Sequence, residues 1–298
     1  MIRYGYACIN VTLQEQGIYV GRTAQRKAFL EKGISHCSRL SLENIQDLYK
    51  ILKWNVANNI LVYRMSSDMF PWASEYPYKS MPDYVEIRNM LEHCGSYAKQ
   101  NNIRLSFHPG PFNCLGSENV DVVNKTIAEL DKHSEVMDML GLPETHMAKI
   151  NIHVGGAYGD KYAALTRFGK SFMRLGMSTR SRLTVENDDR PSMFSPLDLY
   201  SLYKVIGTPI VFDGHHFEVG AKSDLTYEEA FSISYKTWNC TPTFHWSNSA
   251  KVFEAKKTSL TTHSDYYYKK MPILDLGDLD IILESKMKEQ ALLKYLAL

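Results

Sequence analysis

The sequence lacks the marks of several common protein classes. Its five cysteines (Cys8, Cys37, Cys94, Cys114, Cys240) are odd in number, scattered and without a CxxC pair. They read as reduced packing thiols, not as a disulfide frame or a zinc knuckle. No run of about 18 apolar residues occurs, and the opening MIRYGYACIN has no stretch of signal-peptide length, so no membrane partner is expected and an intracellular setting is. An excess of charge is missing too: 34 Lys plus Arg face 33 Asp plus Glu, for a net charge of +1. A nucleic-acid partner would need a local basic groove rather than a basic whole. No low-complexity linker or solenoid repeat divides the chain, which reads as a single domain over residues 1–298. What remains is 298 residues, 44% of them apolar, enough for a soluble globular protein with a substantial core.

Short β-rich runs alternate with helical patterns. The runs are Ile2 to Cys8, Ile60 to Met65, Ile103 to His108, Ala148 to Val154, Leu183 to Asn187, Pro209 to Asp213, Pro242 to Trp246 and Ile281 to Glu284. Between them, Leu42, Ile45, Leu48, Tyr49, Leu52 and Val56 share a helical face after a Ser41 N-cap. Ile127 to Leu140 before Gly141, Leu165 to Leu175 before a Gly176 C-cap, Leu197 to Val205 before Gly207, and Tyr227 to Trp238 repeat the pattern. Eight strands alternating with helices predict an α/β fold, a single (β/α)₈ TIM barrel. A doubly wound open sheet fits less well, because no GxGxxG or P-loop follows the first strand.

In a barrel, functional side chains lie at the C-terminal strand ends. Strand three ends in His108, strand four in His153, strand five in Glu186, and strand six in Asp213 with His216. Strand seven ends in His245, the loop after it carries His263 and Asp265, and strand eight ends in Glu284. A lone strand-end histidine is more often a hydrogen-bonded structural residue than a ligand. The conjunction reverses that preference, since four carboxylates and five imidazoles are costly to bury together without cations. Histidine nitrogen mixed with carboxylate oxygen, and no cysteine, suits Zn²⁺, Mn²⁺ or related ions. Nine candidate ligands are too many for one tetrahedral ion; two or three metals, bridged by Glu186 or Glu284, account for the number better. Such a cluster activates water and clamps both the attacking and leaving oxygens of a phosphodiester. Hydrolysis at phosphorus is the first expectation, with sugar isomerisation as the alternative.

The motifs YGYACIN, KILKWNVANNILVYRMSSDMFPWAS, FHPGPFN, IHVGGAYGDK, VENDDR, FDGHH, HSDY and LESKMKEQAL resemble the ultraviolet damage endonuclease family, relatives of endonuclease IV among the metal-dependent barrels. The resemblance runs over nearly the whole chain, and IHVGGAYGDK with VENDDR is its most specific part. It implies a DNA repair endonuclease with a trinuclear site, manganese first and zinc, magnesium or cobalt as alternatives. It also implies damaged double-stranded DNA as partner and incision immediately 5′ to a cyclobutane pyrimidine dimer or 6-4 photoproduct, leaving 3′-hydroxyl and 5′-phosphate ends. The family's metal-ligand pattern falls on His108, His153, Glu186, Asp213, His216, His245, His263 and Glu284, of which Glu186, Glu284 and His245 are the catalytic candidates. Asp265 is a further candidate ligand, and Glu289, a turn into the last helix rather than at a strand end, is a rival to Glu284. Tyr6 and Asn10, assigned to the loop after strand one, match positions that approach the lesion. The protein is expected to act as a monomer.

Two positions depart from the family pattern. Glutamine then tyrosine or phenylalanine often follow HPG; here Pro111 and Phe112 do, with Asn113 next. Phe112 can still wedge into a damaged step, while Pro111 offers no side-chain hydrogen bond, which leaves looser discrimination or a role for Asn113. Thr243 stands where a chemically modified lysine is common in the family. Basic groups at Arg22, Arg26, Lys27, Lys32 and Arg39, at Lys251, Lys256 and Lys257, and at Lys269 and Lys270 are candidates for phosphate contact, and Phe70, Pro71 and Trp72 for a groove lining. Incision at abasic sites, sugar isomerisation and non-cleaving lesion binding are the rival functions.

Overall fold

In the computed structural model, which describes residues 1–221 and 223–297, all eight expected strands form. They are β1 (Ile2–Ala7), β2 (Val62–Arg64), β3 (Arg104–Ser106), β4 (Ile150–Ile152), β5 (Leu183–Glu186), β6 (Ile210–Val211), β7 (Thr243–Trp246) and β8 (Leu279–Leu283). Hydrogen-bonded neighbours run β3-β2-β1-β8-β7 in one arc and β4-β5-β6 in another, and every pair is parallel. Parallel bridges Phe107↔Ile150 and Asp213↔His245 join the two arcs. There Phe107 N–H donates to Lys149 O at 2.9 Å and His245 N–H to Phe212 O at 3.0 Å. The strands therefore close in chain order into a (β/α)₈ barrel.

The surrounding helices are α1 (Val11–Gln14), α2 (Arg26–Ala57), α3 (Tyr84–Gln100), α4 (Val120–Met139), α5 (Lys161–Phe172), α6 (Met177–Arg182), α7 (Pro196–Ile206), α8 (Gly214–Val219), α9 (Tyr227–Tyr235), α10 (Ala250–Phe253) and α11 (Lys288–Ala297). Gly207 ends α7 as expected, with φ +73° and its N–H on Tyr203 O. Two caps differ from expectation. Ser41 is buried inside α2, which starts at Arg26 and is interrupted only at Gly33; Cys37, Leu40, Ser41 and Ile45 form one continuous buried face that carries the helix past the serine. Gly176 N-caps α6 instead of closing α5. Helix α3, which sequence reading passed over, buries Ile87, Leu91, Cys94 and Ala98 at alternating spacings of four and three. No helix of the described residues is long and apolar enough to cross a membrane.

Strand parity assigns the barrel interior. At the N-terminal end, Asp280 of β8 takes both arms of Arg3 at 2.7 Å and Arg104 Nη1 at 2.9 Å. Arg104 also donates to the carbonyls of Met147, His146 and Thr241. This closed network plugs the stability end of the barrel. Two residues further along each strand lie Asn151, Thr184 and Ile282, all buried, and the next inward step delivers the residues of the opposite rim.

Candidate metal centre and active site

That inward step brings Arg64, His108, His153, Glu186, Asp213, His245 and Glu284 to one end of the barrel, each two residues beyond an inward neighbour on its own segment. Glu186 lies at the centre. Its Oε2 is 3.0 Å from His108 Nε2 and 3.0 Å from His245 Nδ1, and its Oε1 is 3.3 Å from His216 Nδ1. Asn151, directly beneath, donates to Oε2 and receives a hydrogen bond from Thr184 at 2.9 Å. His245 Nδ1 also lies 3.3 Å from Glu284 Oε1, and His263 Nε2 lies 4.0 Å from Glu284 Oε2. Asp213 caps α8 through Oδ1, which accepts from His216 N–H at 2.7 Å.

Three overlapping sets have ligand atoms close enough to share an ion: His108, Glu186 and His245; His153, Glu186 and His216; and Asp213, His245 and Glu284. The donor set fits divalent cations. Among the described residues, Glu186 Oε1, Asp213 Oδ2, His153 Nδ1 and His245 Nδ1 are buried without a well-aligned hydrogen bond, and polar atoms left so at such depth are costly unless something else satisfies them. Sequence reading thus named residues that the fold brings together, with Glu186 and His245 each common to two sets. His263 stands beside the cluster, its Nδ1 2.6 Å from Ser247 Oγ. Asp265 is occupied elsewhere, in an ion pair with Lys256 at 2.7 Å. Glu289 is buried and accepts from Val11 N–H, Thr12 N–H and the Thr12 hydroxyl at 2.7–2.9 Å, so its carboxylate is spent on the first turn of α1, which removes it as a rival to Glu284.

The electrostatics follow from burial and crowding. Burial alone would raise the Glu186 carboxyl, but His245, His108 and His153 around it hold it well below the usual carboxylate range. Burial likewise opposes ionisation of Glu284, and Arg64 and His245 outweigh it. Asp213 is pushed up to about 7 by burial, against the pull of His216. Burial depresses His216 less than Asp213, Glu186 and Glu284 raise it, leaving it at about 9. Burial takes His245 down to about 4, so it is neutral at pH 7 and free to act as a ligand.

Above the cluster opens a cavity of about 550 Å³ whose wall includes Arg64, His108, Pro111, His153, Asp188 and Glu284. Phe112 projects beside it with 89% of its surface exposed. Asn113 spends its side-chain amide on Gly110 O at 3.1 Å, holding the turn that presents Phe112.

Tyr6 and Asn10 are placed differently from expectation. Tyr6 belongs to β1, not to the loop after it, and both residues are fully buried. Tyr6 has the parity of the outer strand face, where its hydroxyl donates to Asn55 of α2 at 2.7 Å and its ring packs on Tyr63. Asn10 donates to the Tyr6 hydroxyl at 2.9 Å and caps α1. Neither is among the residues that line the cavity. Several basic candidates are also engaged: Arg22 with Asp47 and Glu43, Arg39 with Glu43, and Lys256 with Glu254 and Asp265. Trp72 stacks on Phe29 and Phe70 packs on Tyr78, so neither lines the cavity.

Sequence reading missed Arg64, Asn151 and Lys149. Lys149 is fully buried, with Nζ 3.3 Å from His245 Nε2, below the rim and close in level to Thr243, whose hydroxyl has no hydrogen-bond partner among the described residues. The signal was present in parity: Lys149, Asn151 and His153 are alternate residues and must share a face.

Comparison with known proteins agrees with this fold. A family model described as UV-endonuclease UvdE matches residues 2–298. A relative from Acanthamoeba polyphaga mimivirus is 32% identical over 99% of this chain and 90% of its own length. The UV-damage endonuclease of Schizosaccharomyces pombe is 31% identical over 97% of this chain and 49% of its own, so the chain spans about half of that relative. The crystal structure of SacUVDE superposes with a TM-score of 0.85 at 28% identity, covering 100% of this chain and 99% of that one. Endonuclease IV from Thermus thermophilus, at a TM-score of 0.60 and 15% identity over 99% of this chain and 98% of its own, shares the fold. Matched along almost its whole length, the chain belongs to the UV-endonuclease UvdE family and is an endonuclease.

Proposed function

We propose that this protein, acting as a monomer, incises damaged double-stranded DNA at the phosphodiester immediately 5′ to ultraviolet photoproducts, cyclobutane pyrimidine dimers and 6-4 photoproducts, leaving 3′-hydroxyl and 5′-phosphate ends. The observation that carries this reading is the convergence of unpartnered, buried carboxylate and imidazole atoms beneath an open cavity. His108, His153, Glu186, Asp213, His216, His245, His263 and Glu284 would hold three divalent cations, manganese the first choice. Such ions, when bound, stabilise charge developing on phosphate and generate a nucleophile from water at neutral pH.

The chain's own residues perform the rest. Asn151 fixes the Glu186 carboxylate in one rotamer. The closed barrel holds ligands from different strands rigidly, so little reorganisation is needed during reaction. The Gly110 to Asn113 turn presents Phe112 where a base can stack on it or be displaced by it.

The test is incision of a labelled duplex holding one defined cyclobutane dimer, with Mn²⁺ or EDTA, beside undamaged and abasic duplexes. A Mn²⁺-dependent cut directly 5′ to the dimer supports the proposal. Cutting confined to the abasic duplex transfers the protein to abasic-site repair, and no cutting of any duplex sinks the proposal. Phe112→Ala is expected to slow dimer incision by about 5- to 150-fold, the range that about 1–3 kcal/mol of base–aromatic stacking implies, while Phe112→Trp stays near wild type. Equal rates for wild type and Phe112→Ala in single-turnover assays would remove the wedge from the mechanism.

A further inference from the structure

We propose that Arg64 is a substrate-contacting residue, whose guanidinium binds a non-bridging oxygen of the DNA phosphate lying in the cavity while it also holds Glu284. This inference rests on the endonuclease reading above. Arg64 is the last residue of β2 and reaches the same rim as the candidate ligands. Its side chain retains 13% exposure, towards the cavity.

The way it pairs is informative. Nη1 donates to Glu284 Oε1, but Nε is buried with no acceptor among the described residues. Arg3, at the opposite end of the barrel, closes a two-armed fork on Asp280, Nε and Nη2 each at 2.7 Å. Arg64 engages its carboxylate through one nitrogen and leaves donors over. Its setting makes those donors conspicuous. A permanent cation beside ligands for divalent ions repels those ions, and an additional anion facing the guanidinium offsets that repulsion. Phosphate is the anion this site is built to receive, and the planar fork of arginine suits its oxygens. Unlike the imidazoles around it, Arg64 keeps its charge at every working pH. It therefore complements negative charge on the reacting phosphate without a proton having to be placed.

The experiment compares wild type, Arg64→Lys and Arg64→Met on the dimer duplex under single-turnover conditions, and measures Mn²⁺ affinity separately by the electron paramagnetic resonance signal of free Mn²⁺. Arg64→Met should lower the incision rate by about 100-fold, the size of effect seen on removing one preorganised donor to a reacting oxyanion, with Mn²⁺ affinity unchanged or tighter. Arg64→Lys, which keeps the charge but not the fork, should recover only part of the rate. A duplex with a methylphosphonate at the incised position should erase the difference between wild type and Arg64→Met. Weaker Mn²⁺ binding by Arg64→Met, with incision restored by excess Mn²⁺, would overturn the proposal and reduce Arg64 to a support for Glu284. So would equal rates for wild type and Arg64→Met. If wild type cuts no duplex, the endonuclease reading itself has failed. Anisotropy binding of the dimer duplex then decides the matter for Arg64, equal affinities for wild type and Arg64→Met refuting it.

Discussion

Glu186→Gln is expected to reduce incision of the dimer duplex by at least about a thousandfold, equivalent to about 4 kcal/mol of transition-state stabilisation, while binding of the damaged duplex stays within a few-fold of wild type. Glu186 is common to two of the three candidate ion sets, and its Oε1 is one of the buried atoms left without a partner. Burial opposes its ionisation, but the histidines around it hold its carboxyl well below the usual carboxylate range. Glutamine has nearly the same shape and can still meet Asn151, yet it removes the charge and gives one ligand position an N–H₂ donor that cannot bind a cation. The predicted signature is therefore a joint loss of Mn²⁺ affinity and rate with the fold intact, measured by Mn²⁺ titration, single-turnover incision and thermal unfolding. Incision within tenfold of wild type would show that Glu186 is not the bridge. A protein that only binds lesions would have no incision to lose.

The barrel and most of the cluster were legible because both depend on short-range rules. Eight apolar runs with punctuating helices specify the topology, and the last inward residue of each strand specifies the rim, so His108, His153, Glu186, Asp213, His245 and Glu284 could be named from position alone. The failures share a physical cause. Tyr6 was assigned to a loop, but it lies in β1 with outward parity, one residue out of phase with Ala7, and its hydroxyl is consumed by Asn55. Glu289 and Asp265 carry the right chemistry, but their partners, the N-terminus of α1 and Lys256, are distant or indifferent in sequence. Surface charge misled for the same reason, since Arg22 meets Asp47 only across a helix packing that periodicity does not announce. Arg64 carries a cation where the ligand pattern calls for an imidazole or a carboxylate. A cation at a strand end was equally visible in LVYRM.

Lys149→Met should make the protein more stable at pH 7 by up to about 4 kcal/mol and at the same time less active. The amine is fully buried and has no carboxylate within ion-pair distance among the described residues. Burial lowers it from 10.5 to about 7, Arg64 and Arg104 adding to the effect and Glu186 and Glu284 opposing it. A folded-state value below the unfolded one means that the unfolded chain holds the proton more tightly across that interval. The contribution to stability is then complete above pH 10.5 and is lost progressively as the pH falls towards 7, at about 1.4 kcal/mol per pH unit. Methionine has no such dependence and fills a similar volume. Urea unfolding in EDTA should accordingly show the variant ahead at pH 7, with its lead shrinking by about 2–3 kcal/mol at pH 9. A lead independent of pH would mean that Lys149 does not titrate in this interval. Function moves the other way. His245 directs Nδ1 at Glu186 and Glu284, so as a ligand it carries its proton on Nε2, and the Lys149 amine 3.3 Å away accepts that proton only in its neutral form, the form that fixes this tautomer. Removing that acceptor should weaken cation affinity or incision by about 10- to 100-fold. An unstable, half-protonated lysine kept inside the barrel is the kind of local conflict that natural sequences tolerate where activity depends on it.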